Sequence, residues 1–313
     1  MSLFLNTNIS ALKARYQVDK STARLDSSYE KLSSGLKINS AKDDPAGLQT
    51  SDRLTVQINS LNQTNRNAQN AIAYAQTAEG AIQEITTMLQ RIRTLSLQSA
   101  NGTNTELDRN AIQLEVDALN EEIGRIARDT TFGGQDLLNG NASIVRFQIS
   151  PDPGSIIKID LTTGFDTDNL AKMAAFVSGR DDFELPEGHT YSAGTTFKFE
   201  DIFKYQVNGG GIDVSTQSAA QLVLAGIDYL ITAVDTKRSE LGAIQNRLES
   251  TIRNQENVAE NVSDSRALIR DADYAEEVSV MTSSQILQQG SITILTQANQ
   301  KSQVALQMLQ DSY

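Results

Sequence analysis

The sequence predicts a mainly α-helical protein: a long antiparallel helical bundle with coiled-coil packing, a terminal helix pair, a β-hairpin and a small mixed or β-rich central insert. Three observations carry this. Leu54, Ile58, Leu61, Ala68, Ile72, Ala75, Ile82, Leu89 and Ile92 recur at 4-3-4 spacing, interrupted only at Asn65, Glu79 and Thr86, so one narrow apolar seam persists for more than five heptads. Stretches 112–126 and 223–262 repeat the period. Finally, 39% of the 313 residues are apolar but only 5% are aromatic, with no Trp, which suits thin bundles better than one thick core.

Each element follows from local chemistry. Leu5, Ile9, Leu12 and Tyr16, then Val18, Leu25, Tyr29, Leu32 and Leu36, form a helical stripe with a phase slip near Asp19. That stripe is narrow and its other faces are polar, so residues 1–36 are expected to stay disordered until a partner helix covers them. Gly35 and residues 39–43 read as a connector. Asp44 followed by Pro45 starts a helix that runs to residue 100, with a capping carboxylate and a ring suited to the first helical position. At about 1.5 Å per residue it would be roughly 80 Å long.

Asn101-Gly102-Thr103-Asn104 supplies a turn, and the seam Ile112, Val116, Leu119, Ile123 and Ile126 defines an antiparallel second helix. Runs 144–150 and 156–161, parted by Pro151-Asp152-Pro153-Gly154, predict a hairpin. Residues 162–213, without heptads, predict a small β-rich or mixed subdomain fixed at both ends. A capping-box pattern at 218–221 opens a third long helix on Val223, Ile227, Leu230, Val234, Leu241, Ile244, Leu248, Val258 and Val262, with Lys237, Thr251 and Gln255 in seam slots. Beyond residue 263 a final helical section carries Leu268, Val278, Met281, Ile286, Ile292, Leu295, Leu306 and Leu309. Both ends are thus amphipathic and can pair.

Net charge −12 and a pI near 4.6 weigh against nucleic acid, which calls for clustered Lys and Arg. Zero cysteines exclude disulfide frameworks and Cys-based metal sites. Residues 1–16 lack a charged segment followed by a continuous apolar run, and no run approaches about 18 apolar residues. Neither a cleaved signal peptide nor a membrane span is expected, so an exported protein would need another route.

Catalysis finds little support. His189 is the lone histidine, with none one turn away, so a helical two-His zinc site is impossible. The pairs Asp43-Asp44, Asp181-Asp182 and Asp271-Asp273 lack calcium-loop spacing and read as caps or solvated groups. Ser and Thr lack a positioned base. Asn-x-Ser/Thr matches at Asn62, Asn101, Asn141 and Asn261 are common by chance. No catalytic residue, cofactor or metal is expected.

Several stretches resemble the bacterial flagellins: NTN at 6–8, LSSGLKINSAKDD at 32–44, AEGA at 78–81, LQRIRTLSLQSANGT at 89–103 and RDADYAE at 270–276. The resemblance covers about residues 1–161 and 211–313. It implies an inner-tube helix and connector at 1–43 and an inner-tube helix at 266–313. An outer-tube bundle would come from 44–161, with its hairpin, and from 214–265, around a short surface insert at 162–213. The implied function is a secreted, extracellular subunit that polymerises into the helical filament of the bacterial flagellum for motility. Export would be unfolded, through the flagellar type III system, with a cytosolic chaperone on the C-terminal segment; hook-associated and cap proteins would be further partners.

Assembly would run through Leu5, Ile9, Leu12, Leu25, Tyr29, Leu32, Leu36, Ile292, Leu295, Leu306 and Leu309. Arg91, Leu95, Gln98 and Glu115 match the positions through which receptor-activating flagellins engage Toll-like receptor 5, while Thr94 and Ser96 depart from the residues usual there. Ser/Thr positions of the insert, as in some relatives, would be O-glycosylation candidates. Alternatives are a hook–filament junction protein, and a cell-surface flagellin homologue that captures a polysaccharide through Phe176, Phe183, Tyr191, Phe197, Phe199, Phe203 and Tyr205.

Overall fold

The computed structural model describes residues 7–178, 182–184, 196–198 and 211–310. Helices α1 (Ile9–Ser34), α2 (Pro45–Ser99) and α3 (Glu106–Asp129) are followed by strands β1 (Thr131–Phe132), β2 (Gln135–Asp136), β3 (Val145–Gln148) and β4 (Ile156–Ile159). Next come α4 (Thr167–Ser178), β5 (Asp182–Glu184) and β6 (Thr196–Lys198). Two long helices, α5 (Gln217–Arg270) and α6 (Tyr274–Gln310), complete the described chain. The strands pair antiparallel as β1–β2, β3–β4 and β5–β6. Two compact units result: Met1–Asn59 with Asn257–Tyr313, and Ser60–Glu256.

In the central unit α2 buries Ile82, Ile85, Leu89 and Ile92 completely, α3 adds Val116 and Ile123, and α5 adds Ile227, Leu230 and Val234. Each fully buried Leu or Ile contributes about 1.5–3 kcal/mol relative to exposure, so this seam dominates the unit's stability. The polar seam residues Glu79, Thr86 and Gln255 have partners, whereas the buried Asn65 side-chain oxygen has none among the described residues. Glu79 accepts from Gln245 at 2.7 Å, Thr86 donates to the Ile82 carbonyl at 3.1 Å, and Gln255 receives the Thr64 hydroxyl at 3.1 Å while donating to the Ile149 carbonyl. Asn67 adds a bond to the Gln148 carbonyl at 3.1 Å. The hairpin β3–β4 is thereby tied to α2 and α5, with Ile157 buried against Ala68, Ala71 and Leu248.

Several expectations need correction. The insert begins with a helix: in α4 Leu170, Ala171, Met173 and Ala174 are buried and, with Leu161 and Phe165, join the bundle core. An i, i+3, i+4 apolar pattern in a segment read as mixed or β-rich thus belongs to the bundle. Helix α5 is capped by Thr216, whose hydroxyl accepts from the Ala219 amide at 3.1 Å, not by the box at 218–221. It runs unbroken through residue 263 to Arg270, and both Val258 and Leu268 are exposed. The two-residue hairpin at β1–β2, with Gly133 at φ +58° and Gly134 at φ +82°, was not anticipated. Of the insert aromatics, Tyr191, Phe199, Phe203 and Tyr205 lie outside the described residues, as does His189.

In the terminal unit α1 and α6 run antiparallel: Asn8 donates to the Ala298 carbonyl at 2.8 Å, Gln288 to the Thr22 hydroxyl at 2.8 Å, and Lys31 pairs with Glu277 at 3.8 Å. Their backbones approach more closely than those of α2, α3 and α5. The cause is the seam, which consists mainly of small residues seven apart: Ala14, Ser21 and Ser28 on α1, and Ser284, Ser291 and Ala298 on α6, all buried.

Candidate functional site

The close pairing of α1 and α6 has a direct consequence for their large side chains. Ile9, Leu12, Tyr16 and Tyr29 of α1 are more than half exposed, and on α6 Val278, Val280, Ile286, Leu287, Ile292 and Ile294 also face outward. A pair that buries serine and alanine while presenting Leu, Ile, Val and Tyr is inverted relative to a self-sufficient coiled coil. Such exposed apolar surface marks a partner-binding face.

Of the residues expected to drive assembly, Ile9, Leu12, Tyr29 and Ile292 lie on this outward face, while Leu32, Leu36 and Leu295 are half-buried. Leu25 is covered within the α1–α6 pair and offers nothing to a neighbour. Leu306 and Leu309 fall in the last turns of α6, and Leu5 lies outside the described residues. The small-residue seam was missed. Its signal, Ala or Ser every seven residues in both terminal stretches, is present but faint, because Ala and Ser are equally common on solvated faces.

The terminal unit is closed by two of the sequence motifs. Gly35, at φ +71°, ends α1 by donating to the Lys31 carbonyl, and its own carbonyl accepts from Ala272 at 3.0 Å. Lys37 donates to the Arg270 carbonyl at 2.7 Å, Leu36 bridges Asp271, and the Tyr274 hydroxyl donates to the Leu32 carbonyl at 3.3 Å. Asp43 accepts from the Asn39 and Ser40 amides at 3.1 and 3.0 Å, which holds its carboxyl below the usual carboxylate range. The segments 32–44 and 270–276 are therefore one folded joint.

A second surface lies on the central unit. The Arg91 guanidinium meets the Glu115 carboxylate at 2.6 Å, linking α2 to α3, and both side chains are about half exposed. Gln98 is exposed on the same helix two turns on. Leu95 is only 3% exposed and belongs to the bundle core, so a receptor contact through its side chain has no surface to act from. The four residues expected as one patch therefore divide into three at the surface and one beneath it. Leu107 and Leu114, at 81% and 72% exposure, add an apolar face to α3.

Among the described residues no group of three or more His, Cys, Asp or Glu side chains could hold a metal. What the geometry defines is an interaction protein, with long helices whose unmet apolar faces await copies or partners. The comparisons agree. Residues 5–143 match the bacterial flagellin N-terminal helical region and residues 224–309 the bacterial flagellin C-terminal helical region. Flagellin D of Vibrio anguillarum is 38% identical over 99% of this chain and all of its own length, and flagellin B of Vibrio cholerae is 37% identical over the same shares. The first alignment spans 376 positions against 313 residues, so this chain is the shorter. A solved chain assigned to the flagellar hook-associated proteins of Vibrio parahaemolyticus shares the fold, with TM-score 0.53 and 15% identity over 73% of this chain and 99% of that one.

The chain belongs to the bacterial flagellins. It is accordingly a structural subunit of a homopolymeric, extracellular flagellar filament serving motility, and not an enzyme.

Proposed function

We propose that polymerisation proceeds by burial of the outward apolar faces of α1 and α6 against neighbouring copies, so that the terminal unit forms the inner tube and the bundle of α2, α3 and α5 the outer one. The supporting observation is the inverted seam: small residues inside the pair, large apolar residues outside. Head-to-tail contacts that do not close generate a helical filament. Before assembly the terminal helices have only a Ser/Ala seam to hold them, which suits passage through a type III channel unfolded, with a chaperone covering the C-terminal stripe until delivery. Hook-associated and cap proteins would meet the same faces at the filament's ends.

Recognition by Toll-like receptor 5 is a second part of the reading, carried by Arg91, Gln98 and Glu115 at the surface with Leu95 beneath them. The Arg91–Glu115 pair pre-orders two side chains that an approaching receptor would meet already extended. Arg91→Ala and Glu115→Ala should each weaken reporter-cell activation by soluble subunits, whereas Leu95→Ala should act by loosening the core. Unchanged activation in all three variants would remove this part of the reading and leave polymerisation untouched.

A further inference from the structure

The turn between α2 and α3 contains an Asn-Gly pair whose surroundings do more than close a helix. The carbonyl of the Asn101–Gly102 peptide accepts two bonds, from a guanidinium nitrogen of Arg109 at 3.1 Å and from the Asn104 amide at 3.3 Å. Ionising the Gly102 N–H spreads negative charge onto that same carbonyl oxygen. A cationic donor there makes the N–H more acidic than an ordinary peptide's. The Asn101 side-chain oxygen meanwhile accepts from the Thr103 amide at 3.3 Å, which polarises its carbon as an oxyanion donor would. Gly102 carries no side chain to hinder approach, its amide donates to no described acceptor, and both residues are exposed.

We propose that Asn101 is a site of self-modification, in which the Gly102 nitrogen attacks the Asn101 side-chain amide. The Gly102 N–H gives its proton to hydroxide and the nitrogen bonds to the Asn101 Cγ. The Cγ–Nδ2 bond breaks and the nitrogen leaves as ammonia, taking a proton from water. Water then opens the five-membered imide at either carbonyl, giving aspartate or, when the main chain reroutes through Cγ, isoaspartate. Water and hydroxide are the only co-reactants and no electrons are transferred. The isoaspartate product adds a backbone carbon and carries the carbonyl away from Arg109.

Asn139-Gly140 is the internal control. There the leaving amide donates to the Asp136 carboxylate at 2.6 Å, placing negative charge where the transition state develops more of it. Gly140 is also crowded by Gly164, and both Asn139 and Gly140 are half-buried. Among the described residues no Lys or Arg donates a hydrogen bond to that peptide.

The test is peptide mapping by mass spectrometry of the folded full-length subunit incubated at about pH 8, where a larger fraction of the amide ionises. Asn101 should convert at least about tenfold faster than Asn139 in the folded subunit, and the two rates should draw together in urea, where both are plain Asn-Gly pairs. Gly102→Ala, for which the turn has room, should suppress conversion at Asn101 alone. Arg109→Gln should shift the rate–pH profile at Asn101 to higher pH with helix content retained; if this variant fails to fold, the wild-type folded-versus-urea ratio decides. Conversion at Asn139 as fast as at Asn101 in the folded subunit would overturn the proposal, as would equal Asn101 rates folded and unfolded.

Discussion

Arg109 places a full positive charge where α2 ends. Only 9% exposed, it donates to the carbonyl of Ser99, which the helix C-terminus leaves without an intrahelical partner, and to those of Asn101 and Asn104 in the turn. Arg109→Met should therefore cost about 2–4 kcal/mol in urea denaturation, since the buried Ser99 carbonyl and two part-buried ones lose a charged donor together. At the start of α3, Thr105 and Asp108 form a reciprocal capping box, and hydrogen bonds from Thr105 hold the Asp108 carboxyl below its ordinary value of 3.8. A depressed folded-state pKa means its stabilisation is complete above the unfolded value and fades as pH falls through the lower folded one. The stability gap between wild type and Asp108→Asn should accordingly be full at neutral pH and narrow below about pH 4 in denaturation midpoints. The cap at Asp44–Pro45 was legible because two residue types converge on one role, and Asp44 does accept from the Ala46 amide at 3.1 Å. Leu95 was misplaced although its burial was legible. It lies three residues after Ile92 and six after Leu89, on the same side of the helix as these buried residues.

At the scale of elements, long heptad runs were legible and short inserts were not. The seams of α2, α3 and α5 appear in sequence because burial at intervals of three and four leaves a Leu/Ile trace. The α1–α6 pair leaves a fainter trace, since Ser and Ala are also common on solvated faces. Helix α4 was hidden because it is only 12 residues long and lies in a segment without a heptad repeat. Ser28→Leu or Ser291→Leu should push α1 and α6 apart and cost about 1–3 kcal/mol by overpacking, seen as earlier proteolysis of the termini. Leu89→Ala in the central seam should cost about 2–5 kcal/mol through the cavity it leaves. Leu12→Ser, on an exposed face, should leave the isolated subunit within about 0.5 kcal/mol of wild type.

For the whole molecule, the same substitutions rank differently once copies meet. The residues that matter least to the lone subunit, Ile9, Leu12, Ile286, Ile292 and Ile294, are the apolar surface a neighbour would cover, whereas Ile82 or Ile123 should matter to folding and little to contact. Net charge −12 keeps subunits apart in dilute solution, and screening by salt should ease their association. The most direct measurement is the critical concentration for filament formation, read by sedimentation and electron microscopy, of the double variant Leu12→Asp, Ile292→Asp beside wild type. Losing two buried apolar contacts per interface should raise it at least about 100-fold while circular dichroism of the subunit stays unchanged. Filaments of normal length forming at the wild-type concentration would contradict the assignment of these outward faces to assembly.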